Sequence, residues 1–200
     1  MRNKSKNFVI SFVALLIFFV SATLISNISY NNNQNLVSNP PDFYAISKEV
    51  SIDEFKTYLK ENNISAYLPT IIPEKLILTA IYLEEEPFVV IVVYSADFNK
   101  DYKTAELTIQ ISLANYKPDY NELVSNIHNP ETEIALQINT WPLLVNEKAS
   151  AGEESSFIAK YGEYTVLTML WIQNTQFYIN SPTYTLLDVI TLVENMQQLL

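Results

Sequence analysis

From residue 76 onward, apolar and polar positions alternate at the two-residue period of half-buried strands. Leu76 to Leu83, Phe88 to Ser95 and Ala105 to Leu113 are rich in β-branched and aromatic residues, and in the last of them Leu107, Ile109, Ile111 and Leu113 alternate with Thr108, Gln110 and Ser112. These three runs predict an antiparallel meander. Glu133 to Asn139 and Leu143 to Asn146 read as further strand pieces around Trp141-Pro142, where the proline implies an edge or a bulge. "EKASAGEESS", residues 147 to 156, reads as a polar loop. Strands are expected again over Phe157 to Tyr161, Tyr164 to Trp171 and Gln176 to Ile179, with turns at Gly162 and Asn174-Thr175.

Helices are announced by their caps. Ser51-Ile52-Asp53-Glu54 has the spacing of a capping box, and Ile52, Phe55, Tyr58 and Leu59 then form one helical stripe ending near Asn62. Asp119-Tyr120-Asn121-Glu122 starts a second short helix to about Ile127. Thr185-Leu186-Leu187-Asp188 starts the closing helix, whose stripe of Leu186, Val189, Ile190, Val193, Met196 and Leu200, widened by Leu187 and Leu192, predicts the main cover of one sheet face. The expected class is therefore α+β: an antiparallel sheet domain covered by helices, notably a C-terminal one, following an N-terminal transmembrane helix.

That last element rests on a different pattern. Arg2, Lys4 and Lys6 precede Phe8 to Ile25, a run interrupted only by Ser11, Ser21 and Thr23. Eighteen helical residues reach ~27 Å, close to the ~30 Å of a hydrocarbon core. The basic flank places residues 1 to 7 in the cytoplasm and the rest of the chain outside. Residues 8 to 28 are expected to be a signal anchor, the rival being a signal peptide cleaved at Val20-Ser21-Ala22, which would leave a secreted protein. Residues 29 to 42 end in Pro40-Pro41 and read as a flexible stalk, and residues 43 to 200 as the extracytoplasmic domain.

Composition narrows the chemistry. The chain has 200 residues and no cysteine, so disulfides, thiolate sites and lipid attachment through cysteine fall away. His128 is the sole histidine and sits beside Asn129-Pro130, a surface or structural position. Gly152 and Gly162 are the only glycines, and neither lies in a phosphate-cradling loop. Beyond residue 30, nine of the 12 basic residues face all 22 acidic ones, a net of −13 that opposes nucleic acid and anionic lipid.

The densest set of ligating groups is Glu84-Glu85-Glu86, followed by Pro87. It lies where the chain must reverse between two strands, and charge with proline suits a solvated hairpin tip. Calcium loops alternate their oxygen ligands and use a turn glycine, features missing here. No catalytic, metal or cofactor-binding residues are assigned. Asn27 and Asn63 head glycosylation sequons on the external side.

Between Leu68 and Met196 the chain resembles the domain of unknown function 4367 family. The resemblance is carried by "LPTIIPEKLILTAIYLEEEPFVVIVVYS", "LLVNEKASAGEES" and "LTMLWIQNTQFYINSPTYTLLDVITLVENM". Pro69 or Pro73 stands for the family's proline-led opening, Tyr94 for the tyrosine ending a hairpin, Val145-Asn146 for its V-N-G turn, Trp171 for its tryptophan strand and Leu186 to Met196 for its closing helix. Glu147 replaces the usual glycine. The resemblance implies a membrane-anchored extracytoplasmic domain and carries over no catalytic residues.

Three functions compete. The first is a non-catalytic, single-pass, membrane-anchored binding or sensory domain, whose partners are the membrane, through its N-terminal helix, and an unidentified protein or cell-surface component. The second is a carrier of a lipid or other hydrophobic ligand in a groove between sheet and helix. The third, a glycan-cleaving enzyme with two facing carboxylates, has the least support, because exposed acids on an acidic domain need no catalytic explanation.

Overall fold

The computed structural model describes residues 43 to 151 and 154 to 199, apart from the Glu74 side chain. The expected anchor and stalk, with Asn27, lie outside these residues. No helix among the described residues is long and apolar enough to cross a membrane. The chain divides into two units, Met1–Ser47 and Lys48–Leu200. Of the first, the described part is a single helical turn, α1 (Phe43–Ile46), closed by the Ser47 amide on the Phe43 carbonyl at 2.9 Å.

The second unit runs β1 (Lys48–Glu49), α2 (Ile52–Glu61), β2 (Tyr67–Pro69), a 3-10 turn (Pro73–Lys75), β3 (Ile77–Glu84), β4 (Val89–Ser95) and β5 (Leu107–Leu113). There follow α3 (Tyr120–Ser125), β6 (Glu133–Ile138), β7 (Trp141–Ser150), α4 (Ser155–Tyr161), β8 (Tyr164–Ile172), β9 (Thr175–Ser181), α5 (Leu186–Glu194) and β10 (Met196–Gln198). Eight strands form one antiparallel sheet in the order β1-β3-β4-β5-β9-β8-β7-β6, and β2 pairs with β10 as a separate ribbon. The α+β class and the β3–β4–β5 meander agree with the sequence.

The register explains the alternation. Ile81, Val92, Ile109, Ile179 and Leu170 fall on one face, where they meet Phe55 and Leu59 of α2 and Val189, Leu192 and Val193 of α5 in a single cluster. Phe55, Leu59, Leu192 and Val193 have no exposed surface. At ~25 cal/mol per Å2 of apolar area removed from water, such positions dominate the folding free energy. All three expected capping boxes are present: Ser51 with Glu54, Asp119 with Glu122, and Thr185 with Asp188.

Several elements differ from expectation. Phe157 to Tyr161 is helix, not strand, because Phe157 and Tyr161 form an i,i+4 ring pair with centroids 5.0 Å apart. Gly162 ends that helix at φ 95°, a conformation that favours glycine. Glu147 to Ser150 prolong β7 instead of opening the polar loop, after a register shift between Asn146 and Ala149. Val145-Asn146 is therefore strand and not a turn. Pro142 opens β7 beyond its stretch paired with β8, which is how an interior strand accommodates it.

The closing helix stops at Glu194. Asn195 caps it, its amide bonding to Leu192 and Val193 carbonyls, and Met196 then enters β10. Leu187 does not widen the buried stripe: it is 70% exposed. The short strands β1, β2 and β10 were not foreseen.

Candidate functional site

Glu84 to Pro87 does lie at a chain reversal. Glu84 ends β3, the turn spans Glu85 to Phe88, and the Glu86–Pro87 peptide is cis. The three carboxylates differ in environment. Glu85 forms an ion pair with Lys48, both half-exposed. Glu84 accepts the Glu86 amide at 3.3 Å through Oε1, while its Oε2 is buried without a partner. Glu86 is exposed.

The tip borders α2. Tyr58 stacks almost flat on Phe88, with centroids 5.8 Å apart and planes 7° from parallel, and its hydroxyl donates to the Glu85 carbonyl at 3.4 Å. Between the two elements lies an open groove of about 630 Å3 lined by Lys48, Asp53, Glu54, Thr57, Tyr58, Glu61, Asn62, Glu85 and Glu86. Five of these nine are acidic and one is basic. The carboxylates shape the local acidities. Burial first, then the Glu85 and Glu86 charges, push the Tyr58 hydroxyl upward. The bond to Glu85 and its charge raise Lys48, and hydrogen bonds from the Ser51 amide and hydroxyl hold Glu54 below the usual range. The groove offers several acceptors to a cationic ligand. Among the described residues, no group of three or more histidines, cysteines or acids is arranged to hold a metal ion.

A second polar cluster ties β4 to β5 and α4. The buried Ser95 hydroxyl donates to Asp97 and accepts the Asn99 amide at 3.2 Å. Its single proton can serve either carboxylate, Asp97 or Glu106. Glu106 also takes Lys160 at 3.3 Å, and Lys160 lies 4.8 Å from the Tyr161 ring centroid. Ser95 has no exposed surface, so no substrate reaches its hydroxyl. This cluster fastens a loop.

His128 sits exposed on the loop before β6, and its amide donates to Glu133 at 2.7 Å. Asn63 is exposed just past α2, at φ 54°. Between the sheet and its helices, Phe55, Leu59, Val189 and Leu192 are buried in the core cluster. Sequence reasoning found the hairpin but missed the groove, because Lys48, Tyr58 and Glu61 join it only through tertiary packing. The one local hint was the polar face of α2.

Comparison with protein families, characterised proteins and solved structures gives no significant match to this chain.

Proposed function

We propose that this protein is a single-pass, membrane-anchored extracytoplasmic binding domain, non-catalytic, which presents the groove between α2 and the β3–β4 tip to a cationic, hydrogen-bonding partner. The observation that carries this reading is the groove's lining, in which Asp53, Glu54, Glu61, Glu85 and Glu86 face a single lysine, Lys48. Carboxylates exposed on an open surface keep their hydration until a partner arrives, and complementary charge then favours encounter and register. The basic flank and apolar run before residue 26 support the anchor, and the resemblance over Leu68 to Met196 is in keeping with it.

Two measurements test the two halves. A reporter fused to the C-terminus and active only outside the cytoplasm should be active; inactivity overturns the topology. A short oligolysine peptide titrated into isotopically labelled protein should shift the resonances of Thr57, Tyr58 and Asn62, with an affinity that falls as salt rises. Double replacement Glu54→Gln and Glu85→Gln should weaken it. Shifts spread evenly over the acidic surface would show that the groove is not the site.

A further inference from the structure

The eight-stranded sheet has two edges, and they are built differently. At one end β1 has two residues, both charged, and pairs only with Tyr82 and Leu83 of β3. The β3 strand runs on past it with a register shift between Leu78 and Ala80. Short length, charge and irregularity are devices that stop a further strand from adding. At the other end β6 has six residues in unbroken register with β7, from Glu133 opposite Asn146 to Ile138 opposite Trp141. After Glu133 it carries no charge, no proline and no bulge.

The ladder shows which of its backbone groups face outward. The Glu147 amide donates to the Thr132 carbonyl, which makes this a bonded rung. Rungs alternate in an antiparallel pair, so Ile134, Leu136 and Ile138 bond to β7 while Ala135 and Gln137 turn N–H and C=O away from it. Among the described residues, no backbone hydrogen bond takes up these outward groups.

We propose that this edge is a homodimer interface, in which β6 pairs antiparallel with β6 of a second copy about a two-fold axis at Leu136. The register follows from the outward groups. Only a pairing centred on Leu136 sets Ala135 of each copy against Gln137 of the other, so that every outward N–H and C=O is used in both directions. The same register sets Ile134 against Ile138 and Leu136 against its own copy. Ile138 and Leu136 already pack partly against the core, so the apolar row of that face continues across the seam. Along the seam, charge does not oppose this occupant. The chain carries −10 overall, yet this register brings Glu133 opposite uncharged Asn139, and the Glu133 carboxylate already accepts the amides of His128 and Asn129. An acidic protein thus meets itself along an uncharged strip.

The test uses the full chain in mild detergent. Sedimentation should give a dimer for the unaltered protein. Gln137→Pro, which removes an outward donor and leaves the bonds to β7 in place, should give a folded monomer whose thermal midpoint, unlike that of the unaltered chain, does not depend on protein concentration. Because the chain has no cysteine, Leu136→Cys supplies a single thiol; at the axis the two Cα atoms lie ~4.5 Å apart, within disulfide reach. Mild oxidation should link Leu136→Cys chains and leave Gln173→Cys chains, altered on the exposed β8–β9 turn, unlinked. A monomeric unaltered chain, or no Leu136→Cys linkage above the Gln173→Cys background, overturns the proposal. Should Gln137→Pro unfold, the linkage experiment decides.

Discussion

Tyr58 lies parallel to Phe88 at 5.8 Å, and this stack joins the exposed side of α2 to the root of the β3–β4 tip. Phe88 is 7% exposed, so its ring is a core element, and it backs Tyr58, which lines the groove. Phe88→Ala should cost about 3 to 5 kcal/mol in denaturant unfolding, the range for deleting a buried ring. Tyr58→Phe keeps the stack and loses only a long hydroxyl contact, so its midpoint should barely move.

Val193 has no exposed surface and faces the sheet from α5. Val193→Asp should destabilise the domain by several kcal/mol, on the order of the cost of burying an unpaired charge. A variant that kept its denaturant midpoint and lost only liposome association would mean that the α5 stripe meets a membrane instead.

Thr185 accepts the Asp188 amide at 3.3 Å, and Asp188 returns the contact to the Thr185 amide at 2.8 Å. Thr185→Ala removes one half of this box and should cost ~1 kcal/mol. Thr185→Ser should recover most of it, which separates capping from a general effect of altering the site.

Changing Glu84, Glu85 and Glu86 together to glutamine should leave the thermal midpoint within replicate scatter. The Lys48–Glu85 pair is open to solvent on both sides, and such pairs add little. Glu84 keeps an acceptor for the Glu86 amide as an amide side chain. A large fall would reveal a bound cation or a partner of the buried Oε2.

Glu106 gives the acid limb a testable origin. Burial pushes its carboxyl up, but its own amide and Lys160, bonded at 3.3 Å and charged, joined by the Ser95 hydroxyl when it turns from Asp97, outweigh this and hold it below the ordinary range. Its stabilisation is complete above the unfolded value of ~4.3 and is lost as pH falls through the lower folded value. The midpoint gap between the unaltered protein and Glu106→Gln should thus be widest near neutrality and narrow in acid. A gap independent of pH would mean that the carboxylate's charge contributes nothing.

What could be read from the chain alone tracks how local each signal is. The boxes at Ser51, Asp119 and Thr185 need four consecutive residues, and all three formed. The meander was legible because each strand pairs with its neighbour in sequence. Phe157 to Tyr161 misled because five residues show little difference between the two periods, and the Phe157–Tyr161 ring contact that only a helix permits is not visible in the residue types. Met196 continues the α5 stripe at helical spacing, yet it joins β10 because Pro69 lies opposite it, a partner 127 positions away. The groove has the same difficulty: Lys48 and Glu85 meet across 37 positions. No local pattern marks such a pair.

The ribbon of β2 and β10 has a consequence for how the chain is made. Tyr67, Leu68 and Pro69 are synthesised well before their pairing partners, Gln198, Gln197 and Met196. Leu199 then donates to the Ala66 carbonyl, closing the same seam. A nascent chain therefore holds this stretch unlatched until Met196 to Leu199 have been made, and a truncation that removed those four residues would leave the sheet finished but its clasp missing.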